Sequence, residues 1–237
     1  AVLEFTLDAP VAGLTLNGDG SYSFDANDAA YQHLAAGATQ SVVAGYTVTD
    51  AQGASATSSL TITVTGTNDT PVAVADTGAV NEDASLSGSV AGNDSDVDDG
   101  AVLEFTLDAP VAGLTLNVDG SYSFDASDAA YQHLAEGATQ SVVASYTVTD
   151  AQGASATSSL TITVTGTNDA PVAVADTGAV NEDASLSGSV AGNDSDVDDG
   201  AVLTYALDAP VAGLTLNVDG SYSFDASDAA YQHRSEE

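Results

Sequence analysis

"SSLTITVTGTNDAPVAVAD", residues 158–176, is the stretch from which the fold is read. Leu160, Ile162 and Val164 alternate with threonines, and alternation with a period of two places apolar side chains on one face of a half-buried β-strand. "TNDAP" interrupts the pattern with residues that favour turns for backbone reasons, and "VAVAD" resumes it. A joint between two folding units is therefore expected between Thr167 and Pro171, with a counterpart at Thr67 to Pro71.

Outward from the joint, the chain repeats itself. "AVLEFTLDAPVAGLTLN" begins at residues 1 and 101, and "AVLTYALDAPVAGLTLN" begins at 201, a period of 100 residues. Residues 1–67 and 101–167 differ only at Gly18/Val118, Asn27/Ser127, Ala36/Glu136 and Gly45/Ser145, and residues 68–100 and 168–200 only at Thr70/Ala170. A catalytic site is seldom needed several times in succession, whereas a spacer is. Residues 68–167 are expected to form one complete unit. Residues 1–67 then form a partial unit without the opening strands, and residues 168–237 one without the closing strands.

Inside the complete unit, alternation predicts strands near 71–76, 84–91, 102–108, 113–117, 120–125, 139–149 and 155–166. "LTLNVDGSYSF" reads as a hairpin around Asp119 and Gly120, where glycine supplies a positive φ. "DASDAAYQHLAEG", residues 125–137, is the one candidate for a short helix or helical turn. Seven short strands in about 100 residues with almost no helix point to an all-β fold, a two-sheet antiparallel sandwich with Greek-key connections. Phe105, Tyr122, Phe124, Tyr131 and Tyr146 are its expected large core and corner residues.

Charge narrows the function. The 237 residues carry 35 Asp plus Glu against a single basic residue, Arg234, for a formal charge of -34. Self-repulsion on that scale opposes a compact state unless cations screen or bind it, and it makes nucleic acid and anionic membranes poor partners. A content of 43% hydrophobic residues still suffices for packed cores. With no cysteine there are neither disulfides nor thiolate metal sites. No apolar run approaches the roughly 20 residues that span a bilayer, and no signal peptide is recognised, so a soluble chain or a soluble piece of a longer one is expected. Nucleophile elbow, phosphate loop and zinc signatures are all missing, which argues against an enzyme.

The order of joint, "NED", "NDSDVDDG", "LTLNVDGSYSFDASDAAYQHLAEG" and "YTVTDAQG" resembles the VCBS repeat, one of the bacterial cadherin-like modules found in tandem in large secreted adhesins. The resemblance covers the complete unit and both partial ones. It implies tandem Ig/cadherin-like sandwiches in an extracellular array at the bacterial surface. Such an array is secreted by a type I system, as RTX adhesins are, and supports attachment or biofilm formation. The neighbouring repeats of the same chain are the first partners expected.

Calcium takes six to eight oxygen ligands, and carboxylates with Asn or backbone carbonyls suit it best. Four acidic clusters recur per unit: Asn68 with Asp69 in the joint, Glu82 with Asp83 in "NED", Asp94, Asp96, Asp98 and Asp99 in "NDSDVDDG", and Asp150 in "VTDAQG". Similarity to cadherins, in which a glutamate, a "DxD" loop and an acidic linker enclose calcium between domains, implies two sets. At the first joint these are Asn68, Asp69, Asp96, Asp98 and Asp150. At the second, Glu82 faces Asn168 and Asp169, with Asp196 and Asp198 closing from the other side. Glu182 and Asp194 repeat Glu82 and Asp94 and complete the candidate Ca2+ ligands. The "TND" joint is shorter and less acidic than the usual cadherin linker.

Plainer readings hold elsewhere. Asp108 and Asp128 read as turn or surface residues, and "NVDGSYSFD" as a hairpin because it lacks the closing glutamate of an EF-hand. His33, His133 and His233, one per unit, read as packed or capping residues. A module that binds glycan or protein is the alternative function. Finally, the two partial units expose sheet edges, from which head-to-tail association with another chain is expected.

Overall fold

The structure, a computed structural model, describes residues 2–232. The described residues form β-strands and turns, with no α-helix among them. In chain order the strands are β1 (Leu3–Leu7), β2 (Leu14–Leu16), β3 (Tyr22–Phe24), β4 (Thr39–Asp50), β5 (Ser55–Thr65), β6 (Asp76–Asn81), β7 (Ser85–Ser89), β8 (Glu104–Leu107), β9 (Leu114–Leu116), β10 (Ser121–Asp125), β11 (Thr139–Thr149), β12 (Ser155–Thr165), β13 (Ser185–Ser189), β14 (Leu214–Leu216) and β15 (Ser221–Asp225).

Strands β6 to β12 make two sheets, one in the order β6-β12-β11-β8 and the other β7-β10-β9. Successive strands change sheet four times, which is the Greek-key signature of an Ig- or cadherin-like sandwich. On either side, β1-β4-β5 and β2-β3 repeat part of this plan, as does β13-β15-β14. The long pair β4 and β5 is antiparallel from Thr39 opposite Thr65 to Thr49 opposite Ser55.

Six of the seven strands expected between residues 68 and 167 lie within about three residues of the positions read from alternation. The first does not. "VAVAD" forms only an isolated bridge between Val72 and Ser95, and Val72 and Val74 are exposed. The Asp94 carboxylate accepts the Val74 N–H at 2.6 Å, so a side chain takes the bond that a ladder would use. The strand begins at Asp76 instead, in "DTGAVN", whose Asp, Gly and Asn give little β-propensity. Residues 125–137 are successive turns rather than a helix, with Tyr131 N–H donating to Asp128 and Leu134 N–H to Tyr131 carbonyls at 3.0 and 3.2 Å.

The Asp-Gly hairpin is formed as expected. Gly120 adopts φ 80°, the Asn117 N–H donates to the Ser121 carbonyl at 2.8 Å, and Asp119 accepts both the N–H and the hydroxyl of Ser121.

The chain divides into two compact units, Ala1–Thr77 with Ser87–Ser123 and Val143–Thr161, and Gly78–Leu86 with Phe124–Val142 and Ile162–Glu237. In the first, Phe105, Tyr146, Val148 and Leu160 are buried, and the Phe105 and Tyr146 rings pack tilted with centroids 6.2 Å apart. A smaller cluster of the same unit joins Tyr31, Leu34, Val42 and Val64. In the second, Phe124, Tyr131, Leu134, Val142, Ile162 and Val164 are buried. Each unit contains one "TGTND" joint with the acidic loops that reach it.

Candidate metal centre

Most carboxylates of this chain already have backbone partners. Asp19, Asp119 and Asp219 cap a serine two residues on, Asp125 and Asp225 cap Ser127 and Ser227 in the same way while Asp25 caps Asn27, and Asp28, Asp128 and Asp228 hold the following turn. Hydrogen bonds from Ser21, Ser121 and Ser127 hold the acids of Asp19, Asp119 and Asp125 below the ordinary carboxylate range. Asp108 is exposed and accepts the Thr147 hydroxyl at 2.6 Å, which gives it a partner across to β11. These acids need no cation to explain them.

The joints differ. In the second unit, the end of β12 is pinned by a reciprocal pair: Gly166 N–H donates to the Ala138 carbonyl at 2.8 Å, and Gly137 N–H donates to the Gly166 carbonyl at 3.0 Å. The turn after β6 lies alongside, with Glu82 N–H donating to the Thr165 carbonyl at 2.9 Å. Asp83, at φ 63°, supplies the left-handed residue that this turn needs. The Glu82 carboxylate thereby enters the joint, accepts the Thr167 N–H and is only 2% exposed. From the other side, Asp198 accepts the Asp169 N–H at 3.1 Å, and Asp196 accepts the Asp198 N–H at 2.9 Å.

Glu82, Asp169 and Asp198 each place a carboxylate oxygen within 4.8 Å of the others. Each also has a buried oxygen without a hydrogen-bond partner: Oε2 of Glu82, Oδ2 of Asp169 and Oδ1 of Asp198. Arg234, the one Lys or Arg of the sequence, lies outside the described residues, so no Lys or Arg among them offsets the charge. Burial pushes the Asp169 acid above its ordinary value, and the charges of Asp83, Asp198 and Asp196 push it the same way. Buried, unpaired carboxylate oxygens are costly unless something positive meets them. Three all-oxygen donors with free lone pairs fit a hard cation such as Ca2+.

The first unit repeats the arrangement. Asp98 accepts the Asp69 N–H at 3.1 Å and Asp96 accepts the Asp98 N–H at 2.9 Å. Asn68 donates its amide to Asp150 at 2.7 Å, and this bond, ahead of those from Ala154, Gln152 and Gly153, holds the Asp150 acid low. Oδ1 of Asn68, Oδ2 of Asp96 and Oδ1 of Asp98 are buried without partners.

Among the candidate ligands, Asn68, Asp69, Asp96, Asp98 and Asp150 are thus joined at one place, and Glu82, Asp169, Asp196 and Asp198 at another, with Asp83 and the exposed Asn168 at the margin. Asp94 and Asp194 belong to neither. Asp94 bonds Val74 and the buried Tyr146 hydroxyl, and Asp194 bonds Val174, because their loop turns back on its own strand before reaching the joint. Glu182 is exposed. Two contributors went unread in the sequence. One is the Thr167 amide that Glu82 accepts. The other is the backbone of Asp99, a residue read only for its carboxylate: its N–H donates to the His33 carbonyl at 2.8 Å, a bond that Asp199 and His133 repeat at 2.9 Å. The His33 imidazole also lies 3.9 Å from the Asp99 carboxylate, while His233 lies outside the described residues.

A tandem β-sandwich with acidic joints defines a class of cadherin-like and Ig-like modules. Residues 68–166 match the family described as a bacterial cadherin-like domain, and residues 168–235 the family described as a bacterial Ig domain. No curated protein matches the chain in sequence. Solved structures with the same fold include human CDH23 EC21-23, with TM-score 0.60 and 15% identity over 96% of this chain and 79% of that one. Mouse cadherin-23 EC22-24 gives 0.57 and 15% over 94% and 75%. The protocadherin gammaB4 extracellular domain gives 0.52 and 17% over 94% of this chain and 39% of its own length.

Proposed function

We propose that these modules are non-catalytic extender repeats of a bacterial surface adhesin, stiffened by calcium at the joints between successive sandwiches, and that residues 68–167 are one whole repeat. What carries the reading is the trio of buried Glu82 and Asp198 with half-buried Asp169: each brings a carboxylate oxygen within 4.8 Å of the others, and each has a buried oxygen without a hydrogen-bond partner. Glu82 would hold the ion from the preceding sandwich, and Asp169 and Asp198 from the linker and the following one, so that binding couples the two. At the first joint Asn68, Asp69, Asp96, Asp98 and Asp150 would do the same. Secretion through a type I system and a part in attachment or biofilm formation follow from the likeness of the repeat to those of large secreted adhesins.

Calcium titrated calorimetrically into chelator-treated protein tests this. Binding is expected, with a rise in melting temperature, since a ligand at a hundredfold excess over its Kd stabilises the folded form by about 2.7 kcal/mol. No heat and an unchanged melting temperature in moderate salt would sink the calcium reading.

A further inference from the structure

We infer that Asn17 is a site of spontaneous covalent modification, at which the Gly18 amide displaces ammonia from the asparagine side chain and water then leaves aspartate or isoaspartate in its place. The chain builds one hairpin three times. Asn17, Asn117 and Asn217 open it, each donating its N–H to the carbonyl of the serine four residues on at 2.8 Å and accepting the N–H of Gly20, Gly120 or Gly220 at 2.9 Å. All three asparagines and the residues after them are exposed. What differs is that next residue, Gly18 in the first hairpin and Val118 and Val218 in the others. Every other asparagine of the sequence is followed by Asp, Glu or Val, so Asn17 alone precedes a glycine.

The turn does not need that glycine. Gly20, Gly120 and Gly220 supply the positive φ, at 85°, 80° and 81°, whereas Gly18 lies outside the left-handed region and valine occupies its place twice. A Cβ on Gly18 would meet nothing within 4 Å, so packing does not require it either. Its consequence is chemical. Without a side chain the Gly18 nitrogen approaches the Asn17 Cγ freely, an approach that the branched Cβ of valine crowds. The Gly18 N–H finds no acceptor among the described residues, whereas the Gly20 N–H is held by the Asn17 carbonyl.

In the reaction, the Gly18 nitrogen bonds to Cγ, the Cγ–Nδ2 bond breaks, and the Gly18 proton passes by way of a base to the leaving ammonia. Water then opens the cyclic imide at either carbonyl, giving aspartate, or isoaspartate with the main chain routed through Cγ. Either product disturbs the hairpin. The Asn17 amide donates to the Ser21 hydroxyl oxygen at 2.8 Å, and that hydroxyl gives its own proton to Asp19 at 2.6 Å. A carboxylate at residue 17 has no proton to donate, so it competes with Asp19 for the hydroxyl and adds a like charge beside it. Isoaspartate also inserts a methylene between the N–H and the carbonyl that close the hairpin. No cation takes part, so the inference stands apart from the calcium reading.

The 237-residue chain, held folded in mildly alkaline buffer and then digested with pepsin in acid to halt the reaction, tests this by mass spectrometry. Amide-to-acid conversion is expected at Asn17, faster as hydroxide increases, and not in the peptides around Asn117 and Asn217, which share one sequence and serve as the internal control. Gly18→Val should bring Asn17 down to the control level with the hairpin kept, since the other two hairpins carry valine there. Equal conversion in all three hairpins, conversion unchanged in Gly18→Val, or conversion of Asn17 only in urea overturns the inference. Asn17→Asp reads the consequence: hydrogen exchange at the amides of residues 17 and 20 should quicken while that at Asn117 and Gly120 does not, and unchanged exchange would overturn the loosening of the hairpin.

Discussion

At the level of single residues, the carboxylates fall into two kinds that composition does not separate. Asp119 or Asp125 accepts a serine amide and hydroxyl and stays in water, so its charge is solvated and its acid strengthened. Asp169 is half-buried with an oxygen that nothing meets. Its folded pKa is raised above the unfolded value of about 3.9, so between the two values the folded state holds a proton that the unfolded state does not. Stability of the cation-free protein therefore falls as pH rises through that window and is lowest, for this group, at neutral pH. Asp169→Asn should raise the melting temperature in chelator at pH 7 and remove that pH dependence. In calcium it should cost at least the roughly tenfold in affinity that loss of an outer-shell partner costs. Differential scanning calorimetry with and without chelator reads both signs, and a mutant less stable in both conditions would show that Asp169 is structural.

Among the elements, the end of β12 matters most because it delivers the chain into the joint. A Cβ on Gly166 would run into the backbone carbonyls of Leu134 and Ala135, and these cannot swing away as a flexible side chain can. Gly92 has open space around its Cβ position. Gly166→Ala should therefore cost about 1–3 kcal/mol in urea unfolding, the range of overpacked sites, while Gly92→Ala should stay within about 0.5 kcal/mol. Equal effects would mean that the clasp between Gly166, Gly137 and Ala138 does not hold the strand. The same scale shows how far alternation could be trusted. It located β8 to β12, which carry Val, Ile, Thr or aromatic residues, and also β7, "SLSGS", which carries none of these, and it missed β6, whose "DTGAVN" is a strand only because β12 offers it a ladder.

For the whole molecule the governing quantity is a formal charge of -34. Screening shortens the reach of repulsion from about 10 Å at 0.1 M to 3 Å at 1 M salt. In chelator, raising sodium chloride from about 0.05 to 0.5 M should add about 1 kcal/mol or more, a rise of roughly 5 °C in melting temperature. Saturating calcium should shrink that increment, because the worst-placed charges are then compensated directly. A melting temperature indifferent to salt in chelator would show that self-repulsion does not limit this fold.

What the sequence determined by itself was everything that local chemistry dictates: the 100-residue period, strands from period-two alternation, the Asp-Gly hairpin, and joints where Asn, Asp and Pro interrupt a strand. Which acids meet was decided by tertiary structure. "NED" is spelled identically at residues 81–83 and 181–183, yet Glu82 is 2% exposed and Glu182 is exposed. The difference is a strand end and an amide 85 residues away, at Thr167. Asp94 and Asp98 stand in one short loop, yet one turns inward to Tyr146 and the other to the Asp69 amide. A carboxylate's neighbours are set by where distant loops converge, and no spacing along the chain encodes that distance.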